Sequence, residues 1–126
     1  MSPRPWDGAL RTTRHLVDGT SVMAVTGEVD DESAPALRHA LTVAVNGDDS
    51  PSCVVDLSGV TFLNSAGLTA LVEVAWHAET RRRRLRLVVD ANRLVIRPIE
   101  LTGLDRSLSL HHTVAEAAAH SPQRTN

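Results

Sequence analysis

The chain has 126 residues, of which 42% are hydrophobic, so it is long enough for one domain with a single core. Its 13 basic and 15 acidic side chains give a net charge of -2, which argues against direct binding to nucleic acid or to an anionic membrane surface. The single cysteine, Cys53, excludes an internal disulfide, and the lack of a signal segment or a membrane-spanning apolar run indicates a cytoplasmic protein.

The N-terminal part of the chain predicts a lead-in followed by a β-hairpin. Residues 1–10 are proline-rich and predict a flexible lead-in, from which Trp6 is able to fold back onto the domain. Residues 12–17 and 22–29 are rich in apolar and β-branched types on either side of Asp18-Gly19, a strong turn signal. They therefore predict two antiparallel strands.

A first helix and a buried strand follow the hairpin. Ser33 is a favoured N-cap residue, and the helical spacing of apolar residues after it ends at Asn46-Gly47. A polar loop at residues 48–52 leads to Cys53-Val54-Val55, a short apolar run that predicts a buried strand. Residues 56–59 are turn-forming types, which predicts that the strand ends there.

The next stretch predicts a helix that begins with a serine hydroxyl. Asn64 and Ser65 are both favoured N-cap residues, because their side-chain oxygens accept hydrogen bonds from first-turn amides. Gly67 allows close approach to a neighbouring element. Apolar residues then recur at helical spacing, at Leu68, Leu71, Val72, Ala75 and Trp76.

An arginine run separates this helix from the next strand. Residues 81–84 are all arginine, and we interpret them as a solvated helix end that complements the helix dipole. Residues 85–89 predict the strand itself, with Arg86 pointing to solvent or to the sheet edge.

The last part of the chain predicts two short helices and one brief strand. Asp90 or Asn92 caps a helix that Pro98 interrupts or kinks. Residues 108–110 are a strand candidate, and Thr113 caps the final helix. The apolar positions of the first of these helices are Leu94, Val95, Ile99 and Leu101.

Several motifs resemble the STAS domain family, the fold of sulfate transporters and anti-sigma factor antagonists. Asp56-Leu57-Ser58 followed by Asn64-Ser65-Ala66-Gly67-Leu68 resembles its signature, and Gly27-Glu28-Val29-Asp30 resembles the end of its second strand. The resemblance covers residues 11–120, leaves a flexible tail at 121–126, and extends to an L-x-G-L segment late in the chain. It implies an α/β fold with a STAS-type mixed sheet, parallel central strands, about five strands and four helices.

The resemblance also implies where a partner binds. In the antagonist branch of the family a partner kinase phosphorylates the serine of the signature, and the matching residue here is Ser65. Asn64 stands where the best-known antagonists have aspartate. We expect Thr69 and Ala70 to be exposed in the first helical turn. The expected partner-binding residues are Asn64, Ser65, Ala66, Gly67, Thr69, Asp30 and Glu28.

The function implied by the resemblance is that of a regulatory binding protein, not an enzyme. The unphosphorylated form would bind an anti-sigma factor that is also a serine kinase, and so release a sigma factor for transcription. Phosphorylation of Ser65 would end that binding, and a serine phosphatase would restore it. We expect no cofactor, since the sequence has neither a GxxxxGK phosphate loop nor a GxGxxG dinucleotide motif. We also expect no metal, because the adjacent His111 and His112 point to opposite faces of a strand.

Two other functions are open at this point. A STAS subunit of a lipid-transport ATP-binding-cassette complex would use the same loop to dock on a transport ATPase without phosphorylation. A serine hydrolase-like protein would use Ser65 as nucleophile with His15, His39 or His77 as base, but there is no G-x-S-x-G motif and no identifiable acid to orient the base.

Overall fold

The computed structural model describes residues 8–17, 19–47 and 52–119. The predictions made for Trp6, for Asp18, for the loop at 48–51 and for the tail at 121–126 concern residues outside this description. The strands are β1 Arg11–Val17, β2 Thr20–Val29, β3 Ser52–Leu63, β4 Arg84–Val88 and β5 Ser109–His111. The helices are α1 Ala34–Asn46, α2 Ser65–Thr80, α3 Arg93–Leu101 and α4 Val114–Ala119, with a 3₁₀ turn at Leu104–Arg106.

The strands form one mixed sheet in the order β1-β2-β3-β4-β5. β1 and β2 pair antiparallel, from Arg11 opposite Thr26 to Val17 opposite Thr20, which confirms the predicted hairpin. The remaining neighbours are parallel, so α1, α2 and α3 each carry the chain back to the start of the next strand. The fold class is therefore as predicted. Because the central strands are parallel, their carboxyl ends lie together at one end of the sheet.

The two faces of the sheet carry cores of unequal size. Alternation along each strand places Met23 and Val55 on the face that α1, α2 and α3 cover, where the main core lies. Their neighbours Val22 and Val54 belong to a smaller cluster on the opposite face, together with Ala117 of α4. The short α4 thus covers the second face of the sheet, where Ala117 packs against the side chains of this smaller cluster.

The strand predicted to end at Asp56 continues to Leu63, so that boundary was wrong. The turn-forming residues lie in an irregular part of β3, where its register against β2 shifts. Asp56 Oδ1 accepts hydrogen bonds from the Ser58 amide at 3.0 Å and the Ser58 hydroxyl at 2.7 Å, as in a turn. Asn92 Nδ2 then donates to the carbonyls of Leu57 at 3.1 Å and Val60 at 2.8 Å, which holds the bulged strand in place.

The arginines between α2 and β4 do not all face solvent. Arg86 on β4 was predicted to point to solvent or to the sheet edge, but it is buried against α4. Arg86 is only 1% exposed, and its Nη1 donates to the Ala117 carbonyl near the end of α4 at 3.0 Å. Burial, reinforced by the charge of Arg84, lowers the pKa of Arg86. Arg83 is also buried and donates to the Ala44 carbonyl near the end of α1 at 3.3 Å. A guanidinium is suited to both roles, because its donors match the unpaired carbonyls at a helix C-terminus.

Arg83→Gln is therefore expected to lower the free energy of unfolding by about 1–3 kcal/mol, since a charge-assisted hydrogen bond to the end of α1 is lost. Arg81→Gln, an exposed neighbour in the same run, is the matched control and should stay within about 0.5 kcal/mol of wild type. Urea unfolding followed by circular dichroism measures both. Equal midpoints for the two variants would contradict the capping role of Arg83.

Some apolar side chains predicted for the core lie on the surface. Trp76 is 60% exposed, whereas Ala70, expected on the surface, is fully buried. Both errors have one cause: α2 packs against α1 as well as the sheet, so its buried arc is centred on small residues that permit close approach. On α3, Leu94 and Leu101 are also exposed, while Val95 and Ile99 face the core as predicted.

Candidate functional site

Asn64 forms the junction between β3 and α2. It is the N-cap residue of α2, and its Oδ1 accepts hydrogen bonds from the amides of Ala66 at 3.0 Å and Gly67 at 3.2 Å. The backbone amide of Asn64 donates a hydrogen bond to the Val29 carbonyl at the end of β2 at 3.1 Å. Asn64 therefore fixes the start of α2 relative to both neighbouring strands.

Ser65 is the first residue of α2, not its cap, and its side chain is exposed. Among the described residues its hydroxyl has no hydrogen-bond partner. Three histidines were considered as a base. His77 contacts Asn46 Oδ1 at 2.8 Å, His39 lies on α1, and His15 lies on the edge strand β1. The Ser65 hydroxyl is thus open to an incoming macromolecule, and among the described residues no histidine forms a hydrogen bond with it.

Asn64→Ala should consequently destabilise the domain by about 1–2 kcal/mol through loss of the cap, while Ser65→Ala should leave stability unchanged within about 0.5 kcal/mol. The sequence alone allows either residue to be the N-cap of α2. Thermal melts of the two variants test the assignment, and a larger loss for Ser65→Ala would contradict it.

The loop between β2 and α1 is built around Asp30 and Ser33. Asp30 Oδ1 accepts hydrogen bonds from the amides of Glu32 and Ser33, each at 3.0 Å, and from the Ser33 hydroxyl at 3.1 Å. The Ser33 hydroxyl also lies 2.9 Å from the Asp30 amide and 3.0 Å from the Glu28 carbonyl. Hydrogen bonds from the Ser33 amide and hydroxyl lower the pKa of Asp30, so the carboxylate is charged at neutral pH. Ser33 occupies the predicted N-cap position of α1, but its hydroxyl stabilises the loop instead of the helix.

A second carboxylate of this loop reaches the Ser65 turn directly. Asp31 Oδ1 accepts a hydrogen bond from Asn64 Nδ2 at 2.9 Å, and the Asp31 side chain is exposed. Sequence reasoning missed Asp31, although an amide at position 64 has a donor that a nearby acceptor can satisfy. The loop and the start of α2 therefore form one connected surface.

The predicted partner-binding residues meet at the carboxyl ends of β2 and β3. Thr69 is exposed one turn after Ser65, as expected, and Glu28 is exposed on β2. Gly67 is buried instead of lying on the surface, and a Cβ at this position would meet Val29 and Leu63. The exposed part of the site consists of the Ser65 hydroxyl and Thr69 beside an acidic segment at the end of β2 and in the loop that follows it. In this segment Glu28, Asp31 and Glu32 are exposed, and Asp30 is half-buried.

Neither a metal cluster nor a membrane helix is found in the part of the chain that the structure describes. No group of histidine, cysteine and carboxylate side chains within residues 8–17, 19–47 and 52–119 is arranged to hold a metal ion. Within the same ranges, no helix combines the length and the apolar character needed to cross a bilayer. The buried His111 has its Nε2 3.0 Å from the Ser109 hydroxyl, while His112 faces solvent.

With the fold and the exposed Ser65 turn described, comparisons with known proteins give the family of the chain. A family model described as "Mlab, STAS domain" matches residues 12–119. The anti-sigma-F factor antagonist RsfB of Mycobacterium tuberculosis is 35% identical over 101 residues, which are 79% of this chain and 80% of RsfB. The chain therefore belongs to the STAS domain family, and within it to the anti-sigma factor antagonists.

Solved structures agree with this assignment. The crystal structure of an anti-sigma factor antagonist from Mycobacterium paratuberculosis has a TM-score of 0.79 at 35% identity, and the match covers 91% of this chain and 96% of that one. The Bacillus cell fate determinant SpoIIAA in its phosphorylated form has the same fold, with a TM-score of 0.62 at 17% identity over 88% of this chain and 97% of that one.

Proposed function

We propose that this protein antagonises an anti-sigma factor that is also a serine kinase, and that phosphorylation of Ser65 ends the binding. The observation that carries the proposal is the exposed Ser65 hydroxyl, which has no partner among the described residues and stands at the end of the longest strand. The relatives at 35% identity are anti-sigma factor antagonists, which supports the choice of partner. SpoIIAA, which shares the fold, has been solved in a phosphorylated form.

The local electrostatics explain how a phosphate would act. The first-turn amides of Ala66 and Gly67 are already occupied by Asn64, so a phosphate on Ser65 cannot be neutralised by them without displacing the cap. The added charge of about -1.5 to -2 therefore stays on the binding surface, next to the acidic loop. A partner that covers this surface would have to desolvate that charge, at a cost of several kcal/mol.

The same surface indicates the chemistry of the partner. The loop that contacts the start of α2 through Asp31 also carries the carboxylates of Asp30 and Glu32, so the partner surface that faces this loop is expected to be basic. The partner supplies ATP and magnesium, and this chain supplies only the hydroxyl. A serine phosphatase returns the protein to its binding form.

Capture of partners from the host lysate by the Ser65→Ala protein, followed by mass spectrometry, identifies the anti-sigma factor. Titration calorimetry then compares unphosphorylated protein, Ser65→Ala and protein with phosphoserine at position 65. Ser65→Ala should bind like wild type, and phosphoserine should weaken binding at least about 100-fold, or 2.7 kcal/mol.

Ser107→Glu is the matched control for added negative charge. This exposed serine precedes β5 and therefore lies at the amino ends of the parallel strands, away from Ser65. Equal affinity of the phosphorylated and unphosphorylated proteins would refute the switch, and a captured partner without a nucleotide site would refute the kinase assignment. Capture of a transport ATPase instead would assign the protein to a lipid-transport complex.

A further inference from the structure

The Asp31–Asn64 contact joins two elements that are far apart in the sequence. Asn64 Nδ2 donates to Asp31 Oδ1 at 2.9 Å across a separation of 33 residues. The same side chain accepts from the α2 amides through Oδ1. An amide at position 64 is able to do both, whereas an ionised carboxylate at this position has no hydrogen to donate.

A phosphate on Ser65 would compete for this contact. It would be attached to the residue next to Asn64, and its oxygens are stronger acceptors for an amide than an exposed carboxylate in water. It would also repel the Asp31 carboxylate, and charge repulsion at this range is at least comparable with the net value of one exposed hydrogen bond. Both effects favour transfer of the Asn64 donor from Asp31 to the phosphate.

We propose that Asp31 is a positioning residue: through Asn64 it holds the β2–α1 loop against the Ser65 turn, and phosphate on Ser65 releases that loop. The inference rests on the proposed function for its regulatory meaning, but the contact and its release are properties of this chain alone. Phosphorylation then changes the surface in two ways, by adding charge at Ser65 and by freeing the acidic loop that flanks it.

The contact is tested first without any phosphate, by amide hydrogen exchange at Glu32 and Ser33, whose amides are bound within the loop. Asp31→Ala removes the acceptor, and Asn64→Asp keeps the α2 cap but removes the donor. Each of these two variants should speed exchange at the loop amides. Each should also lower the affinity for the captured partner by about fivefold, the effect of losing one exposed hydrogen bond. Glu32→Ala removes the same charge from the same loop without touching Asn64, and should leave loop exchange unchanged.

Exchanging the two side chains provides the decisive comparison. In Asn64→Asp with Asp31→Asn, the new asparagine donates to the new aspartate, so loop exchange and partner affinity should return to within about twofold of wild type. Failure of the double variant to recover either quantity overturns the positioning role, because a residue that contacts the partner directly would not be restored by moving its charge to position 64.

Release by phosphate is tested with phosphoserine incorporated at position 65, which requires no kinase. Exchange at Glu32 and Ser33 should then resemble that of Asp31→Ala. The nuclear magnetic resonance signal of the Asn64 side-chain amide should differ from that of Asp31→Ala, because the phosphate now accepts its hydrogen bond. Unchanged loop exchange overturns the release. If phosphoserine weakens partner binding while loop exchange is unchanged, the proposed switch stands and this inference fails. If loop exchange increases while partner affinity is unchanged, this inference stands and the proposed switch fails.

Discussion

Leu71→Arg is expected to leave no folded domain at 25 °C, whereas Thr69→Arg should melt within a few degrees of wild type. Leu71 is fully buried in the main core, so the variant loses about 2–5 kcal/mol of packing and must also bury an unpaired charge at a cost of several kcal/mol. The sum is of the same order as the 5–15 kcal/mol by which a typical domain is stable. Thr69 is exposed two residues earlier on the same helix, where the same arginine meets solvent.

Circular dichroism melts measure this contrast, and calorimetry adds a second readout for the folded variant. Thr69 shares a helical face with Ser65, so Thr69→Arg should weaken partner binding at least about tenfold, or 1.4 kcal/mol. Glu79→Arg, at an exposed position near the other end of α2, controls for added positive charge. Wild-type affinity for Thr69→Arg would place the docking surface elsewhere on the domain.

Elements that depend on local signals were predictable from the sequence. The hairpin follows from β-branched runs around a turn signal, and Asn92 and Thr113 cap α3 and α4 because their oxygens accept amides two or three residues ahead. The order of strands and helices, together with the signature around Ser65, gave the fold and the position of the candidate site.

Features that depend on distant partners were not predictable in the same way. The turn-forming residues after Asp56 remain in β3 because Asn92, far along the chain, satisfies their carbonyls. Arg86 is buried because α4 places a helix C-terminus over it. The link between Asp31 and Asn64 likewise exists only in the folded chain, where the ends of β2 and β3 meet. A single sequence shows the donors and acceptors but not which of them are brought together.

Gly67→Val is expected to destabilise the domain by about 3 kcal/mol and to impair partner binding, because the start of α2 must move away from the sheet. A Cβ at position 67 would lie 2.5 Å from Val29 Cγ1 and 2.7 Å from Leu63 Cδ1. Val29 is buried and β-branched, so it cannot rotate away without a new clash. The better helix propensity of valine offsets this by no more than about 0.5 kcal/mol.

Gly59→Ala is a useful comparison for this substitution, since its Cβ would meet the Thr26 methyl at 2.7 Å, on an exposed side chain that is able to move. Its cost should therefore be less than about 1 kcal/mol, with partner affinity unchanged. Urea unfolding and calorimetry of both variants decide the matter. A Gly67→Val variant as stable as wild type would contradict this prediction. It would mean that α2 does not pack tightly against Val29 and Leu63 at position 67, and that the geometry of the Ser65 turn does not depend on this packing.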